Sequence, residues 1–263
     1  MQWFILQGII WMTAIMLFFG CDTAHAGFIF DGSNDRITTT AESPADFANT
    51  SFSACFWLKT SSAGTLGVLS KAPNGGGPGW QVRINQTAGK IQQTVYDASS
   101  GAAAARPSSA NINDDTERHI CIVTTTSTTV AATNNVDIYL NGVLSNGTLS
   151  SSGLVYSPGA SDFRIGLRDN GSYLSGVMDD IRIDSPAFSA LEILTMGKSN
   201  IKGGGLLSRR PAFYYPMDDC ANGTVVVDFT LSVDRSGGGF PGTVLGNAVC
   251  RNSPILMGMG WVQ

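Results

Sequence analysis

Ser51-Phe-Ser-Ala-Cys-Phe-Trp-Leu-Lys59 alternates with period two. Phe52, Ala54, Phe56 and Leu58 fall on one face, and Ser53, Cys55, Trp57 and Lys59 on the other. A helix would scatter the four apolar side chains around its circumference. An extended chain gathers them on one side, so the stretch reads as a strand between a core and a more exposed face.

The same period recurs on both sides of this run. Strands are expected at Phe28-Phe30, Arg36-Thr39, Thr65-Lys71, Trp80-Asn85, Lys90-Asp97, Arg118-Thr125, Asp137-Leu140, Phe163-Leu167 and Gly176-Asp184. Turn chemistry separates them. Asn141-Gly142, followed by Val143-Leu144, is a two-residue hairpin signal, and Thr87-Ala88-Gly89 marks a second hairpin. The period shifts once to 3.6. Ser189-Ala-Leu-Glu192 forms a capping box, and Leu191, Leu194 and Thr195 follow at helical spacing, which predicts one short helix. Thirty-one glycines and many Ser, Thr and Asn residues agree with short strands joined by turns. The fold class is therefore all-β, a two-sheet antiparallel sandwich with one short helix.

The ends of the chain are organised differently. Residues 1–26 read as a signal peptide: an apolar run from Met1 to Phe19, a short polar region, and Ala24-His25-Ala26 as an A-x-A cleavage site. The mature chain then starts at Gly27, with no transmembrane segment, and the protein is secreted or surface-displayed. Retention as an anchor, or lipidation at Cys21 after Phe18-Phe19-Gly20, are the alternatives. The sandwich is expected over 27–196 and a Gly-rich linker over 197–211. A C-terminal β extension over 212–263 is expected to pack on the sandwich, with strands at Ala212-Pro216, Thr224-Phe229 and Gly242-Val249.

Cys55, Cys121, Cys220 and Cys250 remain after cleavage, an even count that favours disulfides in an exported chain. Cys220 shares the C-terminal segment with Cys250, and Cys55 and Cys121 each sit in a strand, so the expected pairs are Cys220 with Cys250 and Cys55 with Cys121. The bland alternative for the second pair is two small buried apolar residues.

Composition removes several functions. Sixteen Lys and Arg against twenty Asp and Glu give a net charge of −4 with no basic stripe, which argues against nucleic acid as a partner. Of two histidines, His25 lies in the leader. A triad or zinc site would have to use His119 alone.

Seven stretches, taken in order, resemble the laminin-G-like, concanavalin A-like jelly-roll lectin/glucanase domains. They are Phe30-Asp-Gly-Ser-Asn-Asp-Arg-Ile37, Phe52-Ser-Ala-Cys-Phe-Trp57-Leu-Lys, Arg118-His-Ile-Cys-Ile-Val-Thr124, Ile138-Tyr-Leu-Asn-Gly142, Phe163-Arg-Ile-Gly166, Gly176-Val-Met-Asp-Asp-Ile-Arg-Ile183 and Phe188-Ser-Ala-Leu-Glu192-Ile. The strand at Arg118-His119 lacks the Trp often found there. The resemblance implies a jelly-roll sandwich whose members bind glycans or proteins, often with a structural calcium ion. It implies no catalysis.

Glycoside hydrolysis needs two carboxylates facing across the scissile bond, and the glucanases of this fold carry them as E-x-D-x-x-E. Glu42, Glu117 and Glu192 stand apart, and Asp179-Asp180 points to opposite faces, so the protein is not expected to be an enzyme and a hydrolase is the remote alternative. By simple alternation Asp179 shares a face with Val177, Ile181 and Ile183, where a charge needs a partner. Together with the resemblance this suggests a Ca²⁺ site built from Asp179, Asp31 and Asn34, the other reading being backbone hydrogen bonding and turn formation. For ligand binding, Trp80 and Tyr173 are candidate aromatic platforms, with Asp169 and Asn170 as polar neighbours. The expected partner is a glycan in carbohydrate recognition or adhesion, the alternative a surface protein in a cell-surface or virion assembly.

Overall fold

The computed structural model describes residues 27–39, 47, 50–73, 77–85, 88–96, 103–125, 135–150, 160–168, 171–198, 213–215, 217, 230–231, 242–246 and 248–251. Two antiparallel sheets face each other. The first runs β10 (Val143–Leu144), β9 (Asn135–Leu140), β8 (Arg118–Thr125), β3 (Ser51–Lys59), β12 (Ser175–Asp184), β1 (Gly27–Asp31), β16 (Val249–Arg251), with β13 (Phe213–Tyr215) also paired to β12. The second runs β14 (Thr230–Leu231), β15 (Gly242–Leu245), β2 (Arg36–Thr39), β11 (Phe163–Ile165), β4 (Leu66–Lys71), β5 (Gly79–Asn85), β6 (Lys90–Tyr96), β7 (Ala103–Pro107). The helix α1 spans Ala190–Lys198.

The core lies between the sheets and is built from the apolar phase of each strand. Phe52, Ala54, Phe56 and Leu58 of β3 are buried there with Trp80, Val82 and Ile84 of β5. A file of rings crosses it. Phe47 stacks on Phe52 at 4.7 Å, Phe52 meets Trp80 at 5.2 Å, Trp80 meets Phe163 at 5.9 Å, and Phe163 packs edge-on against Phe213 at 5.1 Å. Offset and edge-on pairs of this kind add to what area burial alone supplies.

The second face of β3 departs from expectation. Ser53, Cys55 and Trp57 are buried rather than exposed; α1 and the segment before it form a roof over Ser53 and Cys55, and Trp57 packs with His119. Phe188 and Ile193 pack on Cys55 and Cys121, and the backbone N–H of Phe188 donates to Ser53 Oγ at 2.8 Å. The capping box forms: Ser189 N–H donates to Glu192 Oε2 at 2.7 Å, and Glu192 N–H to Ser189 Oγ at 3.3 Å. At Asn141 and Gly142, φ values of 50° and 79° make the two-residue turn, and a Cβ on Gly142 would lie 2.8 Å from Leu194 Cα. The hairpin and the helix therefore touch through a position where only glycine fits.

The C-terminal segment is woven into both sheets rather than laid against them. β15 pairs with β2, β16 with β1 and β13 with β12, and Phe213, Tyr215 and Ala248 belong to the core. Gly197 and Lys198, assigned above to the linker, are the last residues of α1. The rest of the linker, the stretch Thr224-Phe229, the leader and Cys220 lie outside the described residues. β7 was not expected from sequence, since Ala-Ala-Ala-Arg-Pro has no β-branched or aromatic residue; it forms because β6 offers it a partner edge.

Candidate functional site

Directly opposed residues in an antiparallel sheet share a face. Following the register of the second sheet from strand to strand gives one continuous row on its outer side: Thr243, Thr38, Arg164, Ser70, Gln81 and Thr94. A parallel row holds Arg83 and Gln92, and Tyr96 flanks the far end. The row is polar because the neighbours of its members, Ile37, Leu69, Val82 and Val95, turn inward to the core. Its middle is shielded, with Ser70, Gln81 and Thr94 1%, 1% and 3% exposed, while Thr38, Arg164 and Arg83 are half-buried. Among the described residues, the hydroxyls of Ser70 and Thr94 find no hydrogen-bond partner. Buried hydroxyls without partners are uncommon, and two on either side of one glutamine call for an explanation.

A hairpin after β11 lies over this face. Leu167 bridges to Tyr173, Arg168 N–H donates to the Ser172 carbonyl at 3.0 Å, and Gly67 N–H to the same carbonyl at 3.1 Å. A Cβ on Gly67 would overlap the backbone nitrogen of Arg168 and come within 2.6 Å of its Cβ. Glycine at 67 is thus the gap into which Arg168 settles. From there Arg168 Nε donates to Gln81 Oε1 at 3.2 Å, and Gln81 Nε2 donates to the Tyr96 hydroxyl. Gly67 pairs with Arg83 across the β4–β5 edge of the sheet.

Sequence reasoning pointed to this hairpin but missed the row beneath it. Tyr173 is half-buried in the hairpin, whereas Asp169 and Asn170 lie outside the described residues. Trp80 is corrected: it is fully buried between Phe52 and Phe163 and cannot serve as a sugar platform. The signal that would have found Gln81, Arg83, Gln92 and Thr94 was present in the off-phase of Trp80-Asn85 and Lys90-Tyr96. Those positions hold amides and arginine.

The proposed calcium ligands do not come together. Asp31 pairs with Ser175 at one end of β1, and Phe28 with Met178 near the other, so Asp31 and Asp179 are four residues apart along β12. At roughly 3.3 Å per residue this is about 13 Å, too far for one ion. Asp31 Oδ1 accepts from Ser33 N–H at 2.8 Å, shaping the turn, and Asn34 is exposed there. Asp179 Oδ1 accepts from Asp180 N–H at 2.7 Å. Its expected face is also corrected. The register slips between Asp179 and Arg182, with φ of 50° at Asp180, so Met178, Ile181 and Ile183 point to the core while Asp179 takes the other side with Val177. The buried carboxylate of the turn Asp31-Gly-Ser-Asn-Asp35 is Asp35; it is fully buried and its Oδ2 accepts from Asp31 N–H at 2.8 Å. Among the described residues no three His, Cys, Asp or Glu side chains are grouped to hold a metal ion.

Cys55 and Cys121 are joined by a disulfide. On the outer side of the first sheet a cleft of about 230 Å³ is lined by Ile29, Lys59, Thr60, Asp115, Ser175 and Val177, and Lys59 Nζ meets Asp115 Oδ2 across it at 3.3 Å. His119, 4% exposed, packs against Trp57 with ring centroids 5.4 Å apart and planes tilted by 58°, and burial pushes its pKa down to about 4. The Arg118 guanidinium holds the Asp114 carboxyl well below the usual carboxylate range.

A crystal structure of a candidate carbohydrate-binding protein from Bacteroides ovatus superposes with a TM-score of 0.55 at 16% identity, covering 88% of this chain and 61% of that one. The chain thus spans about three fifths of that protein's length. A heptameric SAP-like pentraxin from Limulus polyphemus gives a TM-score of 0.49 at 14% identity, covering 68% of this chain and 84% of the pentraxin. Mouse laminin α1 chain domains LG4-5 give 0.41 at 13% identity, covering 61% of this chain and 41% of the laminin fragment. No curated protein matches the chain. Residues 31–194 carry the signature of the laminin-G type within the concanavalin A-like lectin/glucanases superfamily, and with the two-sheet sandwich around them they place the chain in that family.

Proposed function

We propose that this protein is an exported, non-catalytic module that recognises saccharides on the outer face of its second sheet. The observation that carries the reading is the continuous polar row Thr38–Arg164–Ser70–Gln81–Thr94, whose Thr38 and Arg164 end is half-buried and open to a ligand. A saccharide presents hydroxyls that both donate and accept, matching the half-buried side chains of Thr38, Arg164 and Arg83 on this face. Half-buried Tyr173 supplies an aromatic neighbour at the rim. The chemistry for hydrolysis is not assembled among the described residues. Glu192 is committed to the helix cap, and Asp184 to Arg182 at 2.7 Å. Export rests on the A-x-A pattern of the leader; among the described residues no helix is long and apolar enough to cross a membrane.

The test is a saccharide array probed with the chain from Gly27 and with Gln81→Ala. Binding by the first that is lost in the second supports the reading. Equal binding by both moves the site elsewhere. A second reading, attachment to a protein partner, is favoured by Val143 and Leu144, 63% and 55% exposed on the edge strand β10. Light scattering of wild type and Val143→Lys separates the two: a change of assembly state in the variant speaks for it.

A further inference from the structure

The cleft on the outer side of the first sheet lies across the sandwich from the polar row and takes no part in that site. Its floor is one register row: Ile29 of β1 opposes Val177 of β12, and Val177 opposes Lys59 of β3. Ile29 and Val177 are half-buried, so two branched aliphatic side chains stay within reach of a ligand. Thr60, Ser61, Ser175 and Gly176 form the wall, closed where Thr60 Oγ1 donates to the Ser175 carbonyl at 2.7 Å. A Cβ at Gly176 would lie 2.4 Å from the Lys59 carbonyl oxygen, so glycine is what lets β12 run this close to the end of β3.

The backbone also sets the charged rim. Asp115 N–H donates to the Thr60 carbonyl at 2.9 Å, and Asp115 is held at φ 60°, a left-handed conformation that costs a residue with a Cβ. Lys59 Nζ and Asp115 Oδ2 stand 3.3 Å apart, with side chains 29% and 64% exposed. Among the described residues neither side chain makes another polar contact, whereas both oxygens of the neighbouring Asp114 are committed to Arg118. An ammonium has three donors and a carboxylate about four lone-pair sites, so a single contact leaves most of each available.

We propose that this cleft binds a small zwitterion, a free α-amino acid with an aliphatic side chain. Such a molecule carries an ammonium and a carboxylate on one carbon, so its two partners must be opposite in sign and close together, as Lys59 and Asp115 are. Asp115 accepts from the ligand ammonium and Lys59 donates to the ligand carboxylate, two charge-assisted hydrogen bonds. The rim is neutral as a pair, which gives a simple anion or cation no advantage over a ligand bearing both charges. The aliphatic side chain then covers Ile29 and Val177. The volume of about 230 Å³ lies below the roughly 300–1,000 Å³ of clefts that hold drug-sized ligands, which limits the occupant to a small molecule.

The experiment is calorimetric titration of the purified protein with L-leucine, glycine, N-acetyl-L-leucine, L-leucinamide and methyl β-galactoside. The expected result is saturable binding of leucine that weakens roughly tenfold or more when its ammonium is acetylated, its carboxylate amidated or its side chain removed. In Asp115→Asn the acetylated and free amino acids should bind alike, and in Lys59→Met the amide and the free amino acid should do so. Thermal melting of each variant confirms that it is folded, and the ligand series on wild type stands without them. Acetylated and amidated ligands that bind as tightly as leucine overturn the inference, since an apolar groove would then suffice. Binding of the galactoside in place of leucine, lost in Asp115→Asn, also overturns it and gives the cleft to a saccharide. So does failure to bind leucine at all. The saccharide array with Gln81→Ala tests the opposite face, so either reading can fail alone.

Discussion

Cys55 on β3 stands directly opposite Cys121 on β8, and the bond between them is roofed by Phe188 and Ile193. It closes a loop with a sequence separation of 66 residues that contains β4 to β7 entire. In the chain-entropy account a loop of this length contributes about 4 kcal/mol. Cys55→Ala with Cys121→Ala is therefore expected to lower the unfolding free energy by up to that amount in urea titration. Thiol counting on the unfolded protein should show both sulfurs inaccessible until a reductant is added.

His119 gives the sandwich an acid limit. Its pKa falls from 6.5 in the unfolded chain to about 4 in the fold, so the folded state takes up the proton less readily. The contribution is present in full above about pH 6.5, declines as the pH falls towards 4, and is lost below that. The linkage amounts to about 3 kcal/mol. His119→Gln should flatten the melting temperature between pH 6.5 and 4, measured against wild type by calorimetry.

Gly67→Ala tests whether the hairpin is held by the gap beneath it. The new methyl would strike the Arg168 backbone, so a loss of about 1–3 kcal/mol is expected. Saccharide binding should fall more than in a variant of equal stability elsewhere, such as one in the helix cap.

The helix roof has its own measure. Ser189→Ala removes the cap and should cost about 1 kcal/mol, read from the urea midpoint. Asp184→Ala removes the carboxylate paired with the Arg182 guanidinium, which is 6% exposed and lies 5.0 Å from the Phe188 ring; a loss of up to about 3–5 kcal/mol is expected there.

How far the sequence carried depended on which interactions are local. Ser51–Lys59 declared its strand because alternation is written into neighbouring residues, and Ser189 with Glu192 declared the helix start because a cap spans one turn. Asp179 was read on the wrong side because the bulge after it is set by pairing with β3, which alternation within one strand cannot see. Trp80 followed a Gly-rich loop and looked accessible; its neighbours Phe52 and Phe163 are 28 residues before and 83 after it. The polar row was least visible of all. Its members come from six strands and become a row only through registers fixed by the whole sheet.

The placement of β15 and β16 bears on the order in which the molecule can be made. β1, the first described strand, lies between β12 and β16, and β2 lies between β11 and β15. Neither can be completed on the ribosome until the chain beyond Gly242 has emerged, so the first two described strands wait for two of the last. During that interval the Phe28 and Ile37 strands have at most one edge paired. Vectorial synthesis thus leaves closure of both sheets to the end, and a ribosome stalled before Gly242 would display two sticky edges that the finished protein hides.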